Sequence, residues 1–468
     1  MRYLPLTEAE KQNILGLCGV GSFQELVSSI PEELQLKGLL DLEPGLSEME
    51  IIGRISKLAK KNKAAGMVSY LGQGAYDHSW PVVIDQITNR GEFLTAYTPY
   101  QPEVAQGTLQ AIFEFQSMIA EILGLEVANA SLYDGSTAVV EAVLMASRIQ
   151  AKKTGRILVS EGTYPHVMEV LRTYLTPLGI SIETWVSDPS TLLVSASALE
   201  KQLGGSQPTD IIGIVLQSPN RFGLVEDWAE LKFASQNLKA TSIGFVSHPH
   251  ALALFESPGE ADIDLAVSEG QSLGIPVGFG GPYLGLFACR KKDVRQMPGR
   301  LVGLTEDANR QRAFCITLST REQHIRRERA TSNICSNQSL MALRATVYLS
   351  LMGREGFRRV AELSRAAAHY ARQGLKALLN KEARDLVVVE GEAFNEISIL
   401  VPSKYALWPE TLQAAAESQN ILAGLSIDVP RASSFVSGLA FAFTEKHEKK
   451  DIDDLLRVVE LTLKKFHK

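Results

Sequence analysis

The chain has 468 residues, 45% hydrophobic and 21% charged, with a formal net charge of −6. That length exceeds what one hydrophobic core fills, so two or more domains are expected, and the composition is that of a globular protein. No basic run is long enough to hold nucleic acid, no stretch of about 18 apolar residues offers a membrane span, and the mixed-charge opening "MRYLPLTEAEKQN" resembles neither a signal peptide nor a transit peptide.

Residues 5–65 read as helical. "LTEAEKQNILGL" places Thr7 as N-cap with Glu10 three residues on, and "LSEMEIIGRISKLAKKN" repeats the capping-box pattern with Ser47 and Glu50. Ile51, Ile52, Ile55 and Leu58 then follow at helical spacing, so residues 1–65 are expected to form an N-terminal helical arm. From residue 66 the pattern changes. "QGTLQAIFEFQSMIAEIL" puts Leu109, Ile112, Phe113, Ile119 and Leu123 on one helix face, and "STAVVEAVLMASRIQ" is apolar nearly all round, as in a helix buried on a sheet. Strand candidates "RILVS", "IIGIVL", "IGFVS", "DLAV" and "LGLFA" alternate with helical stretches. This alternation predicts a large α/β domain over 66–330 with a mostly parallel sheet. Long amphipathic helices, the strands "FNEISILV" and "GLAFAFTE" and a last helix "DIDDLLRVVELTLKKF" predict a smaller α+β domain over 331–468.

Cys18, Cys289, Cys315 and Cys335 are scattered with no CxxC pair, which favours reduced thiols and a cytoplasmic setting over disulfides or zinc. His248 and His250 lie two apart in "SHPH" with no carboxylate nearby in sequence, and no metal is expected from them.

Three stretches could carry chemistry. In "NASLYDGSTAVVEA", Gly135, Ser136 and Thr137 open a helix whose N-terminal N–H groups suit a phosphate. The same residues read equally as a tight turn with Ser136 or Thr137 capping the helix. In "EFLTAYTPYQPEVAQG", Pro99 and Pro102 stiffen a loop that presents Tyr97 and Tyr100 to a site or packs them in a connection. "REQHIRRER" is either a solvated helix face or the lining of an anionic pocket.

The strings "GEFLTAYTPYQPEVAQGTLQAIFEFQSMIAEILGLEVANASLYDGSTA", "LQSPNRFGLVED", "GQSLGIPVGFGGPYLGLFA", "MPGRLVG" and "TREQHIRRERATSNICSNQ" carry a resemblance. They are similar to the P-protein family, the glycine decarboxylases of the glycine cleavage system, and within it to the α subunits of the two-subunit form. The resemblance extends over essentially the whole chain. It implies the fold of aspartate aminotransferase, the large fold of pyridoxal phosphate (PLP) enzymes, with active sites at subunit interfaces. It also implies an aminomethyl-transferring glycine dehydrogenase active only as a complex. Its partners would be a PLP-carrying β subunit and the lipoylated H protein, its substrate glycine, its assembly a heterotetramer of two α and two β chains.

In the family the catalytic subunit carries its cofactor lysine shortly before a Gly-Gly-Pro-Gly segment. Aligned on Gly280, Gly281 and Pro282, that position falls on Gln271, and no lysine occurs from 240 to 290. An amide is not a nucleophile and cannot form the Schiff base. The aspartate that would pair with the pyridine nitrogen falls near His248. The resemblance therefore implies no covalent cofactor in this chain, a degenerate phosphate loop at Gly135, Ser136 and Thr137, and a supporting role for Tyr97 and Tyr100 at the partner's site. Two other readings stay open: a scaffold subunit with no active-site residue, and a stand-alone PLP enzyme of another substrate class.

Overall fold

A computed structural model describes residues 6–38, 40–205, 208–278, 280–429 and 434–466. The chain divides into two compact units, Met1–Ala65 and Gly66–Lys468.

The first unit contains helices α1 (Glu8–Leu17) and α2 (Glu48–Ala59), both opened by the capping boxes that the sequence predicts. Thr7 N–H donates to Glu10 at 2.6 Å and Ser47 N–H to Glu50 at 2.8 Å. Neither helix buries a residue, and Ile51, Ile52, Ile55 and Leu58 leave an apolar stripe exposed.

The second unit is built on a seven-stranded sheet: β1 (Val127–Ala128), β2 (Gly155–Ser160), β3 (Ile180–Trp185), β4 (Ile211–Ser218), β5 (Thr241–Val246), β6 (Leu265–Glu269) and β7 (Gly285–Cys289). Their order is β1-β7-β6-β5-β4-β2-β3. β3, β2, β4, β5 and β6 run parallel, and β7 returns antiparallel with β1 at the edge. All eight residues of β4 and all six of β5 are buried, which is why these strands read as unbroken apolar runs. The edge strand β3 was not among the predicted strands: exposed Ser181 and Thr184 and half-buried Glu183 interrupt its apolar run.

Helix α3 (Gln106–Leu123) buries Leu109, Ile112, Ile119 and Leu123 as predicted, but Phe115 rather than Phe113 completes the face. Phe113 packs at its margin, 5.4 Å from the Phe314 ring. Helix α4 (Gly135–Ile149) is buried over most of its length, from Ala138 to Ala146, between the sheet and the helix Pro165–Leu175.

After β7 come a hairpin of β8 (Leu301–Glu306) and β9 (Arg312–Thr317), then the long helix α5 (Ser339–Glu382), then an antiparallel sheet of β10 (Val387–Val388), β11 (Glu396–Val401), β12 (Leu425–Ile427) and β13 (Ser437–Ala442), in the order β10-β11-β13-β12. Helix α6 (Lys449–Phe466) covers that sheet. Helix α5 kinks at Gly353, whose φ of 58° is the left-handed region. Ala342, Ala345 and Tyr348 before the kink belong to the core of the large sheet. Ala371, Leu375 and Leu379 after it belong to the core of the smaller one.

Candidate functional site

In an open α/β sheet, ligands bind beyond the carboxyl ends of the parallel strands. Here the residues after β2, with the ends of β5 and β6, converge on the N-terminus of α4. A cleft of about 280 Å³ opens there, walled in part by Gln73, Asp134, Ser136, Tyr164, His166 and Tyr283. Among the described residues, neither lysine nor arginine lines it.

The turn that opens α4 differs from both sequence readings in one respect. The N-cap is Asp134, not Ser136 or Thr137. Its carboxylate accepts the Thr137 N–H at 2.7 Å, and Thr137 Oγ1 accepts the Asp134 N–H at 3.1 Å. Gly135 and Ser136 line the cleft. The Gly135 N–H, one of the free donors that a helix N-terminus offers an anion, is already taken by Glu269 at 2.8 Å. Only glycine fits there, since a Cβ would lie 2.9 Å from Glu269 Cβ. Glu269 also accepts the N–H groups of Gln271 at 2.9 Å and Leu284 at 3.3 Å. Burial pushes its carboxyl up to about 8, against the pull of the backbone donors, and neighbouring Asp134 adds to the rise.

Gln271 is buried and bonded at both ends of its amide. Oε1 accepts the Tyr76 N–H at 2.8 Å, and Nε2 donates to the carbonyls of Tyr76 at 3.0 Å and Ile275 at 2.8 Å. It clasps the segment around Tyr76 much as a neighbouring strand would. That segment runs on into a buried network. Tyr76 and Tyr164 hydroxyls meet at 3.0 Å, and Gln73 N–H donates to Glu396 at 2.6 Å. Burial pushes Glu396 up to about 7.

His248 lies at the end of β5, buried beneath the Tyr76 ring at 4.5 Å between centroids. Its Nε2 is 2.9 Å from His78 Nε2. Burial holds His248 and His250 well below the ordinary histidine range, with the neighbouring imidazoles adding to it. A neutral imidazole offers no carboxylate to a protonated pyridine nitrogen.

PLP does not fit this arrangement. Among the described residues no lysine lines the cleft to form a Schiff base, the Gly135 N–H is held by Glu269, and the buried His248 offers no carboxylate.

Tyr97 and Tyr100 are not part of this cleft. They are 61% and 75% exposed, with rings 6.4 Å apart. Their loop is anchored from below. Thr98 and Pro99 are buried, and the Arg300 guanidinium hydrogen-bonds to Thr98 Oγ1 while pairing with Glu322 at 3.4 Å. The Tyr97 hydroxyl reaches Cys335 Sγ at 3.9 Å. "REQHIRRER" is a solvated face over most of its length, and its buried arginine bonds backbone carbonyls rather than an anion. Arg321 is buried on the carbonyls of Met297, Leu318 and Gly299, whereas residues 324–329 face outward.

Glu269, Tyr76, Tyr164, His78, Glu396 and Glu445 were not singled out from the sequence. Only Glu269, two residues before Gln271, carried a local signal. The others reach the site from distant segments.

A family model described as glycine cleavage system P-protein matches residues 1–459. A probable glycine dehydrogenase (decarboxylating) subunit 1 from Moorella thermoacetica is 44% identical over 458 residues, covering 97% of this chain and 98% of that relative. Its counterpart of the same name from Rhodospirillum centenum is 43% identical over 468 residues, covering 99% and 100%. A solved structure of glycine decarboxylase (P-protein) of the glycine cleavage system, in inhibitor-bound form, superposes with a TM-score of 0.85 at 37% identity, over 99% of this chain and 100% of that one. Glutamate decarboxylase of Lactobacillus brevis, at 12% identity and a TM-score of 0.67 over 95% and 97%, shares the fold alone. That fold is the PLP-dependent transferase fold expected from the resemblance, and the chain belongs to the glycine cleavage system P-protein family.

Proposed function

We propose that this chain is the lysine-less subunit of a two-subunit glycine decarboxylase. In this reading a β subunit holds PLP through its own lysine. The pair decarboxylates glycine and passes the aminomethyl group to the lipoyl arm of the H protein. PLP, bound on the partner, supplies the electron sink for the carbanion left when CO₂ departs. This chain supplies the fold, an interface, and the stiff loop carrying Tyr97 and Tyr100 toward the partner's site. The assembly is two copies of each subunit, and the setting is cytoplasmic; among the described residues no helix is long and apolar enough to cross a membrane.

The observation that carries the reading is Gln271. It stands where the family's lysine falls, and its amide is spent on Tyr76 and Ile275. A site so filled has no free group for the chemistry, while relatives over the whole chain are named as subunit 1 of the enzyme.

The test is co-purification followed by borohydride reduction and peptide mapping. The tagged chain should recover a second protein, and the pyridoxyl group should lie on a lysine of that protein. A stoichiometric adduct on one lysine of this chain would overturn the proposal. Scattered labelling of surface lysines is the expected background.

A further inference from the structure

We propose that His78, His248 and His250 form a buried binding site for a divalent first-row transition-metal cation, oriented from outside by Glu445 and Tyr348. The site is separate from the proposed decarboxylase function and does not depend on it.

One ring nitrogen from each of the three histidines lies within 4.8 Å of the other two, and all three side chains are buried. His78 Nδ1 is 2.6 Å from the Glu445 carboxylate. A carboxylate accepts, so Nδ1 carries the proton and Nε2 turns a lone pair inward. His250 Nε2 is 2.9 Å from the Tyr348 hydroxyl. With that nitrogen protonated, Nδ1 keeps its lone pair, at a longer 3.3 Å from Ser272 Oγ. An outer N–H held by a carboxylate or hydroxyl, with the second nitrogen left to bind, is the arrangement metal-bound histidines adopt.

His248 supplies an independent observation. Its Nδ1 is buried with no hydrogen-bond partner. The 2.9 Å contact between His78 Nε2 and His248 Nε2 shares one proton, and whichever ring carries it, His248 Nδ1 is left buried and unpartnered. A cation bound at His248 Nε2 takes the place of the proton shared with His78, and the His248 ring then carries its own proton on Nδ1.

Three imidazoles with no inner carboxylate select zinc, cobalt, nickel or copper over magnesium or calcium. With bonds of about 2.0–2.1 Å, tetrahedral nitrogens lie about 3.4 Å apart. The His78–His248 pair therefore opens by about half an ångström, and the widest pair closes by up to about 1.4 Å through ring rotation. A bound ion would tie the segment after β5 to the segment around His78. Through Glu445, just beyond β13, it would reach the smaller sheet as well.

The experiment uses the full chain carrying a tag without histidines, stripped with chelator and titrated with cobalt(II). Expected are about one equivalent bound per chain, the visible ligand-field bands of a four-coordinate site, and a raised melting temperature. His248→Asn should abolish the bands with the circular dichroism spectrum unchanged. Glu445→Gln, which keeps all three histidines, should weaken binding about 10- to 100-fold. Because Glu445 is an outer partner, that variant tests the site even where His248→Asn does not fold. Substoichiometric cobalt in the unmodified chain, or binding unchanged in either folded variant, overturns the site and leaves the trio as a metal-free hydrogen-bond chain.

Discussion

Glu269 accepts the Gly135 N–H at 2.8 Å, so the first turn of the helix at the site is already occupied by an acidic group belonging to the protein itself. A helix N-terminus favours negative charge, yet this carboxyl is wholly enclosed, and its pKa rises to about 8 from an ordinary 4.5 because burial outweighs the backbone donors. Asp134 caps the same helix, so two acidic side chains meet there. A phosphate approaching this turn meets acid rather than a free donor.

The sign of the pH dependence follows from that rise. Below about pH 4.5 Glu269 is protonated folded and unfolded alike, and it contributes nothing. Between about 4.5 and 8 the unfolded chain ionises freely while the folded one resists, so this group lowers stability as pH rises. Glu269→Gln removes the titration and keeps the shape. An amide nitrogen cannot accept a backbone N–H, so the variant should carry a pH-independent loss of about 1–3 kcal/mol, and relative to that offset it should gain on the parent toward pH 8, with a slope of at most about 1.4 kcal/mol per pH unit. Denaturant melts of both chains at four pH values give the comparison, and a difference that does not change with pH would reject the assignment.

Gln271→Lys should not make this chain a PLP enzyme. The lysine cannot accept the Tyr76 N–H that Gln271 Oε1 now satisfies at 2.8 Å, and an orphaned buried donor costs about 1–3 kcal/mol. The new amine also finds Glu269 on the helix turn and a neutral histidine beyond it. The expected outcome is a lower midpoint of unfolding, no borohydride-stable pyridoxyl group on residue 271, and no exchange of CO₂ with glycine by the chain alone. Appreciable exchange would mean that the pocket keeps more of its catalytic form than its contacts indicate.

The fold was legible where side chains report their own surroundings. β4 and β5 are buried on both faces, and their apolar runs say so. Ser47 and Glu50 sit three residues apart and found each other. Gln271 was reached from the sequence only by aligning Gly280, Gly281 and Pro282 with the resembling family, since no local pattern around it names a function. Its partners were not reached. Tyr76 meets Gln271 across 195 residues, and His78 meets His248 across 170. Those pairings depend on strand order and on where one loop lies over another, which no local pattern records. The hairpin β8–β9 escaped notice for a different reason: its strands are only partly buried, and its outer half is exposed.

Arg300 should act as the anchor of the tyrosine loop. Its guanidinium bonds to Thr98 and pairs with Glu322 Oε2, both largely enclosed; His324 also stands 3.7 Å from that oxygen, and Glu322 Oε1 has no hydrogen-bond partner. Removing the cation strands a buried carboxylate, which costs about 3–5 kcal/mol when burial is complete and less here. Arg300→Ala should destabilise the chain by about 2 kcal/mol, and adding Glu322→Gln should recover part of that loss. Additive effects in the double variant, measured by denaturant unfolding, would deny the coupling.

Tyr97 and Tyr100 carry the last prediction. Both rings are mostly exposed, on a loop whose Thr98 and Pro99 are buried and whose residues 99 and 102 are prolines. A side chain held out on a stiff loop binds with little ordering cost. A phenol can orient a carboxylate while its ring packs at an interface. Tyr→Phe removes only the hydroxyl. In the isolated chain each substitution should shift stability by no more than about 0.5 kcal/mol, since neither hydroxyl is buried. In the reconstituted complex at least one should lower kcat/KM about tenfold, equivalent to about 1.4 kcal/mol of transition-state stabilisation. A tenfold loss with unchanged assembly would put that hydroxyl at the reacting centre of the partner. Unchanged kinetics in both single variants and the double variant would reduce the loop to an interface wedge.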